Sequence, residues 1–294
     1  MNMRVRIKEL FLLVSLLTLS LNIYGQKKFA MLVGISDYHA VDPNTEWNNI
    51  HGVNDVNLLG PLLKKQGFMV DKIIDTSATK ANIIKHLRIL IRKITKNSIV
   101  YIHFSTHGQP FEDQNGDEFD GWDESIVPVD APIEYIKGQY EGNNHLLDDE
   151  LNKYTEKIRE IIGKYGHLYV VVDACHAGRA SRDLEEISIS RGTKRGFSPN
   201  GKHYRAKREV STHYNLSSSP FKSPVTYLEA CGNTQLNIEI KRNGAYYGAL
   251  SYYIATILST HNLLTDNKWI FLVKKMMSSD INLKNQNMVI ETSE

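Results

Sequence analysis

The chain has 294 residues, 41% hydrophobic, 23% charged and 9% aromatic, enough apolar sequence for a large core and too much for a disordered, collagen-like or coiled-coil chain. Its 35 Lys and Arg oppose 33 Asp and Glu, and without Arg4, Arg6, Lys8 and Glu9 of the first 25 residues the two signs balance. No overall basic excess draws it to nucleic acid, so nucleic acid is not an expected partner.

Residues 1–25 read as an export signal: a basic start, an apolar stretch from Leu10 to Leu21 and small Gly25 ahead of Gln26. That stretch is too short to cross roughly 30 Å of hydrocarbon, so the expectation is cleavage near Gly25, no stable membrane anchor afterwards, and a periplasmic or secreted protein. Residues 26–294 then form one domain.

Short runs rich in β-branched and aromatic residues alternate with longer segments of helical period. Phe29 to Ile35, Val70 to Ile74, Ser98 to Phe104, His167 to Val172 and Val225 to Ala230 are predicted strands. Asn54 to Gln66, Thr79 to Lys96 and Asp148 to Lys164 are predicted helices, the first bent or interrupted at Gly60-Pro61. In the second, Thr79 can cap the start while Ile83, Ile84, Leu87, Leu90, Ile91 and Ile94 make one apolar stripe. Strands separated by helices imply parallel neighbours, hence an α/β fold: a three-layer α/β/α sandwich on a mostly parallel central sheet. The stretch Trp269 to Met277 reads as a helix covering one sheet face.

Reactive groups in such sheets gather beyond the carboxyl ends of the strands. Ser98–Ser105 runs into Thr106-His107-Gly108, and Leu168–Asp173 runs into Ala174-Cys175-His176-Ala177-Gly178, so the topology sets His107 and Cys175 on one rim. An imidazole beside a thiol keeps it near its thiolate form and resupplies protons, which makes Cys175 the candidate nucleophile and His107 its base and acid. The N–H groups of Gly108 and Cys175 are candidates for holding an oxyanion. A Cys175–Cys231 disulfide is the competing reading. His103, inside an apolar run, reads as a core histidine rather than a zinc ligand, and Trp47, Trp122 and Trp269 read as packing residues.

Two charged blocks stand out. Glu112 to Glu124 holds seven acids and no bases, and Arg191 to Arg208 holds seven Lys and Arg and no acids, within a Ser- and Gly-rich stretch to Pro220 that reads as a flexible basic surface loop, 191–220.

Phe-Ser-Thr-His-Gly-Gln at 104–109 and Asp-Ala-Cys-His-Ala-Gly at 173–178 resemble the catalytic histidine and cysteine segments of the metacaspases and paracaspases, within the caspase-like cysteine peptidases. Ala30–Ile35, Gly52-Val-Asn-Asp55, Asp120–Glu124 through Pro128–Asp130, Asp148–Leu151 and Leu228–Cys231 continue the resemblance in order, over roughly residues 28 to 260. It implies a cysteine endopeptidase working by a Cys–His dyad, with no cofactor needed for the chemistry. It also implies an acidic specificity pocket at Asp55 and Asp173, lined by Ser105, and hence peptide or protein substrates cut after basic residues, Arg favoured over Lys. The Gln-Ala-Cys-Arg-Gly segment of true caspases is absent. Helix-dipole compensation is the alternative role for Asp55.

An enzyme of that preference would find a substrate in its own basic block, and self-cleavage within 191–208 is the expected maturation step. Asp113, Asn115, Asp117 and Glu124 match positions of a calcium hand loop, but Glu118 stands where that loop needs glycine. The resemblance instead implies calcium as an activator at Asp123, Asp148 and Asp149, with Asp183 one step out of register for the fourth ligand, where Arg182 stands. The rival readings are a catalytically silent module of the same fold that binds basic peptides, and an amidohydrolase acting on a small amide.

Overall fold

The computed structural model describes residues 26–116, 118, 120–175, 189–205, 216, 218–266 and 268–293; the expected signal, 1–25, lies outside the described residues. In chain order they form β1 (Lys28–Gly34), α1 (Gly52–Lys65), β2 (Met69–Ile74), α2 (Lys80–Lys93), β3 (Ile99–Ser105), β4 (His107–Glu112), β5 (Trp122–Val127), β6 (Leu146–Leu147), α3 (Asp148–Ile162), β7 (His167–Asp173), β8 (Val225–Glu229), β9 (Glu239–Arg242), β10 (Ala245–Gly248), α4 (Ala249–Leu258), α5 (Trp269–Ser279) and β11 (Val289–Thr292).

The central sheet runs β11-β8-β7-β3-β1-β2, parallel throughout except for β11, which lies antiparallel on β8. Alternate side chains of its strands feed two cores. On one face Met31, Val33, Ile102, Phe104, Val170 and Val172 meet Ile83, Leu87 and Leu90 of α2 and Leu151, Ile158 and Ile162 of α3. On the other, Leu32, Tyr101 and Val171 meet Val56, Leu59 and Leu63 of α1 together with α4 and with Trp269, Val273 and Met277 of α5. The result is a three-layer sandwich, with β4, β5 and β6 as a small antiparallel sheet and β9–β10 as a hairpin.

Thr79 caps α2 as expected, its hydroxyl accepting from the Asn82 N–H at 3.3 Å. Pro61, in contrast, does not interrupt α1, which runs unbroken from Gly52 to Lys65. An interior proline costs about 3 kcal/mol. Burial of Val56, Leu59 and Leu63 contributes about 1.5–3 kcal/mol each and outweighs it. The two ends of the acidic block are not loop: Glu112 ends β4 and Trp122 to Glu124 lie in β5, where buried Phe111 and Trp122 hold them.

The basic block departs furthest from expectation. Arg191 is completely buried and Phe197 almost so, while Lys194, Arg195, Lys202 and Arg205 are exposed; residues 206–215 and 217 are outside the described set. The Phe197 ring stacks on Phe111 at 4.8 Å and meets His145 at 4.6 Å, while its N–H donates to the Pro110 carbonyl. One aromatic side chain thus anchors a segment whose charges suggested solvent.

His103 is a core histidine, its ring between the Tyr101 hydroxyl (3.3 Å) and Ser251 Oγ (3.0 Å). Burial pulls His103 and His107 down to about 4 and His145 to about 3. These rings fold neutral but take up protons below about 6.5 in the unfolded chain, so stability is full above that pH and falls as pH drops toward 4. Each is expected to cost about 3 kcal/mol by pH 4. The melting temperature should therefore fall steeply between pH 6.5 and 4; a flat profile would show that the folded rings already carry charge.

Candidate active site

β1, β3 and β7 end side by side, with Gly34, Ser105 and Asp173 in register. Helix α1 begins against these ends because Gly52 has no side chain: a Cβ there would lie 2.2 Å from the Ser105 carbonyl oxygen and 2.6 Å from that of Ile35. This close start sets Asp55, one turn in, over the rim, where its carboxylate accepts from Ser105 Oγ at 2.6 Å and from the Gly248 N–H at 3.1 Å. Asp173 ends β7 and accepts from Ser251 Oγ (2.6 Å), the Ser251 N–H (2.8 Å) and Asn237 Nδ2 (2.7 Å).

The expected pocket residues Asp55, Asp173 and Ser105 therefore do come together, and the group they surround is the chain's own Arg191. Its guanidinium lies 2.7 Å from Asp55 Oδ2 and 3.8 Å from Asp173 Oδ1, and donates to Ser105 Oγ at 2.6 Å. A third carboxylate, unforeseen in the sequence, completes the set. Glu239 Oε1 accepts from Nε at 3.1 Å and from Nη2 at 2.9 Å, and is itself held by the backbone N–H and ring of His51. The alternation Asn237-Ile-Glu-Ile240, which sends one acid inward, was the available signal.

Three carboxylates around one cation leave negative charge in excess. Burial, and then the neighbouring Asp173 charge, push Asp55 up to about 7 against the pull of Arg191. Asp173, with Arg191 and three hydrogen bonds from Ser251 and Asn237, is held below its ordinary value despite its burial, and Arg191 is raised beyond the usual arginine range.

The backbone of Arg191 is held as firmly as its side chain. Residues 189–191 pair antiparallel with 237–239, through Arg191 N–H to the Asn237 carbonyl and Glu239 N–H to the Ile189 carbonyl, both 2.9 Å. The Arg191 carbonyl oxygen accepts from two donors, the N–H of Cys175 at 2.9 Å and that of Gly108 at 3.2 Å. These are the two groups singled out in the sequence as oxyanion donors.

His107 follows β3, its N–H donating to the Tyr38 hydroxyl at 2.8 Å and its ring between Trp47 (4.8 Å) and Tyr38 (4.9 Å). Nε2 lies 2.8 Å from the Asn48 carbonyl oxygen, which can only accept, so the ring proton sits on Nε2. Nδ1 is buried with no hydrogen-bond partner among the described residues. Trp47 and Asn48, read only as packing or not at all, thus orient this ring. Both cysteines are free thiols, and Cys175 and Cys231 each donate to the Gln235 carbonyl, at 3.0 and 3.6 Å. The hydrogen bond with Cys175, together with burial, pushes the Cys231 thiol up. His176 lies outside the described residues.

In the acidic loop, Asp113 accepts from the N–H groups of Asn115, Gly116 and Glu118, so its carboxylate shapes a turn. Burial, and then Asp123, Glu118 and Asp149 nearby, push Asp148 up to about 8, and its Oδ1 has no hydrogen-bond partner among the described residues. Asp149 accepts from Asn115 Nδ2. Among the described residues no three His, Cys, Asp or Glu side chains converge as a metal site, and Asp183 lies outside them.

A thiol and an imidazole just beyond the ends of neighbouring parallel strands, with an acidic pocket at the same rim, define a caspase-like α/β domain. The profile of the metacaspase peptidase C14 domain matches residues 28–184, and the chain belongs to that family of cysteine peptidases. It is similar to metacaspase-1 of Candida albicans, 25% identical over 283 residues, covering 81% of this chain and 59% of the relative. It is also similar to metacaspase-1B of Aspergillus oryzae, 32% identical over 179 residues, covering 57% of this chain and 38% of the relative. This chain thus spans less than two thirds of either relative's length. The crystal structure of a Geobacter sulfurreducens protein shares the fold, with TM-score 0.61 at 20% identity over 91% of this chain and 93% of that one.

Removing Arg191 would leave buried carboxylates without their cation, which typically costs 3–5 kcal/mol. In a Cys175→Ala background, Arg191→Ala should lower unfolding stability in urea by about that much at pH 8. The gap should narrow at pH 5, because without the cation the carboxylates take up protons more readily in the folded state than in the unfolded one. Equal losses at both pH values would show that the carboxylates do not depend on Arg191.

Proposed function

We propose that the protein is a cysteine endopeptidase that cuts after arginine and that its first substrate is its own Arg191–Gly192 bond. One observation carries this reading: Arg191 has its guanidinium in the acidic pocket and its carbonyl oxygen between the N–H groups of Cys175 and Gly108. That is the posture of a residue preceding a bond about to be cut.

The chemistry follows from the tautomer of His107. With its proton on Nε2 and a depressed basicity, the ring is neutral at physiological pH, and Nδ1, which has no partner among the described residues, accepts the Cys175 proton once the thiol turns from the Gln235 carbonyl. The imidazolium so formed keeps its Nε2–H on the Asn48 carbonyl, which favours the charged ring. Sγ attacks the carbonyl carbon, and the oxygen, now an anion, stays on the two N–H groups, each worth about 3 kcal/mol in the transition state. Nδ1–H then protonates the nitrogen of residue 192 as the C–N bond breaks. In the second half, water loses a proton to His107 and displaces the thiolate, releasing an arginine carboxylate and restoring the dyad.

Glu239 supports arginine over lysine, since it accepts from Nε as well as from Nη2 and a lysine ammonium offers no Nε. Glu239→Gln should narrow the Arg-to-Lys ratio of kcat/KM on paired reporter peptides by about tenfold; an unchanged ratio would remove Glu239 from the selection.

Incubation of the full chain should yield a fragment beginning at Gly192, seen by intact mass, and Cys175→Ala should abolish it. If the wild type stays whole and Cys175 reacts with an arginyl thiol-reactive probe no faster than free cysteine, the protein is instead a silent module gripping basic peptides. We further propose export with loss of residues 1–25, and calcium as an activator around Asp123, Asp148 and Asp149, outside the chemistry itself. Calcium should then raise the melting temperature, and Asp148→Asn should cancel the rise.

A further inference from the structure

The cleft also constrains the residue after the cut bond. Gly192 lies between the two walls of the site, bridged in parallel to both Gly108 and Cys175. A Cβ at Gly192 would lie 2.0 Å from the Cys175 carbonyl oxygen, 2.9 Å from its carbonyl carbon and 3.0 Å from its Cβ. These belong to the nucleophile itself, so moving them would displace both the thiol and a donor of the oxyanion site. Gly192 is not among the glycines with positive φ, so space rather than backbone conformation demands it.

The peptide cannot slide away from this wall, because it is pinned on both sides. Arg191 is buried in the pocket on one side. On the other, Gln109 Nε2 donates to the Arg195 carbonyl at 2.9 Å, and Phe197 pairs with Pro110 and Glu112 through bonds of 2.8 and 2.9 Å. Register is therefore fixed across the bond.

Resting on the reading of Arg191–Gly192 as a docked substrate bond, we propose that the site admits only glycine immediately after the cut bond, so that its substrates are exposed Arg-Gly sequences. The wall that selects is the main chain of Cys175. The basic block holds a second such pair, Arg195-Gly196, whereas Arg205 precedes Ala206 and Arg208 precedes Glu209.

The test uses the full-length enzyme and synthetic peptides spanning 189–200 with Gly, Ala, Ser or Leu at position 192, each retaining the Arg195-Gly196 bond as an internal reference. Cleavage at each bond is followed by mass spectrometry. The expected result is cutting at 191–192 in the Gly peptide and a kcat/KM at that bond at least 100-fold lower with Ala, Ser or Leu, while the 195–196 bond is still cut. Ala or Ser peptides cut at 191–192 within threefold of the Gly peptide would overturn the proposal while leaving cleavage after arginine intact. No cleavage at either Arg-Gly bond, in any peptide, would overturn the underlying reading and the proposal with it.

Discussion

The guanidinium of Arg191 among Asp55, Asp173 and Glu239 is the interaction on which the rest of the site depends. Each acid comes from a different element, α1, β7 and β9, and none would be stable alone at full burial. The cation offsets their mutual repulsion and, by occupying the pocket, brings its own carbonyl to the two N–H donors. On the proposed reading, the same imbalance would favour an arginine substrate. A pocket with more carboxylates than cations is costly when empty and is relieved by a planar cation with several donors, which arginine supplies.

Around this charge cluster the machinery is held by neutral contacts. Trp47 and Tyr38 enclose the His107 ring, the Tyr38 hydroxyl fixes its backbone, and the Asn48 carbonyl settles its tautomer. The docked segment follows the same logic beyond Gly192, where Phe197 in its aromatic surroundings and a short backbone ladder determine register. A cleft of about 510 Å³, lined by Trp47, His107, Ile189 and Gly192 among others, runs along this segment.

The sheet was legible because its strands are buried on both faces and read as continuous runs of Val, Ile and Tyr, and because α2 and α3 have clean apolar stripes. His107, Gly108 and Cys175 were legible too, since they stand next to strand ends, and Asp55, Asp173 and Ser105 were legible through the resemblance to the metacaspases and paracaspases. The hairpin β4–β5 was hidden by Pro110 and a dense run of acids, which locally favour a loop. Phe197 and Arg191 were hidden by the charges around them: nothing local distinguishes a basic residue bound for solvent from one that will meet three buried acids.

The sequence by itself determined the order of strands and helices and the rim to which the thiol and imidazole belong, because periodicity and strand ends are local properties, and its resemblance to the metacaspases and paracaspases pointed to two of the three acids. Only the tertiary structure decided that Glu239 completes the pocket, that Arg191 fills it and that Gly192 faces the Cys175 carbonyl. Those are contacts between segments up to 188 residues apart, as His51 and Glu239 are, and the energy that selects them, a buried charge finding its counter-charge, exists only once the chain has closed around both.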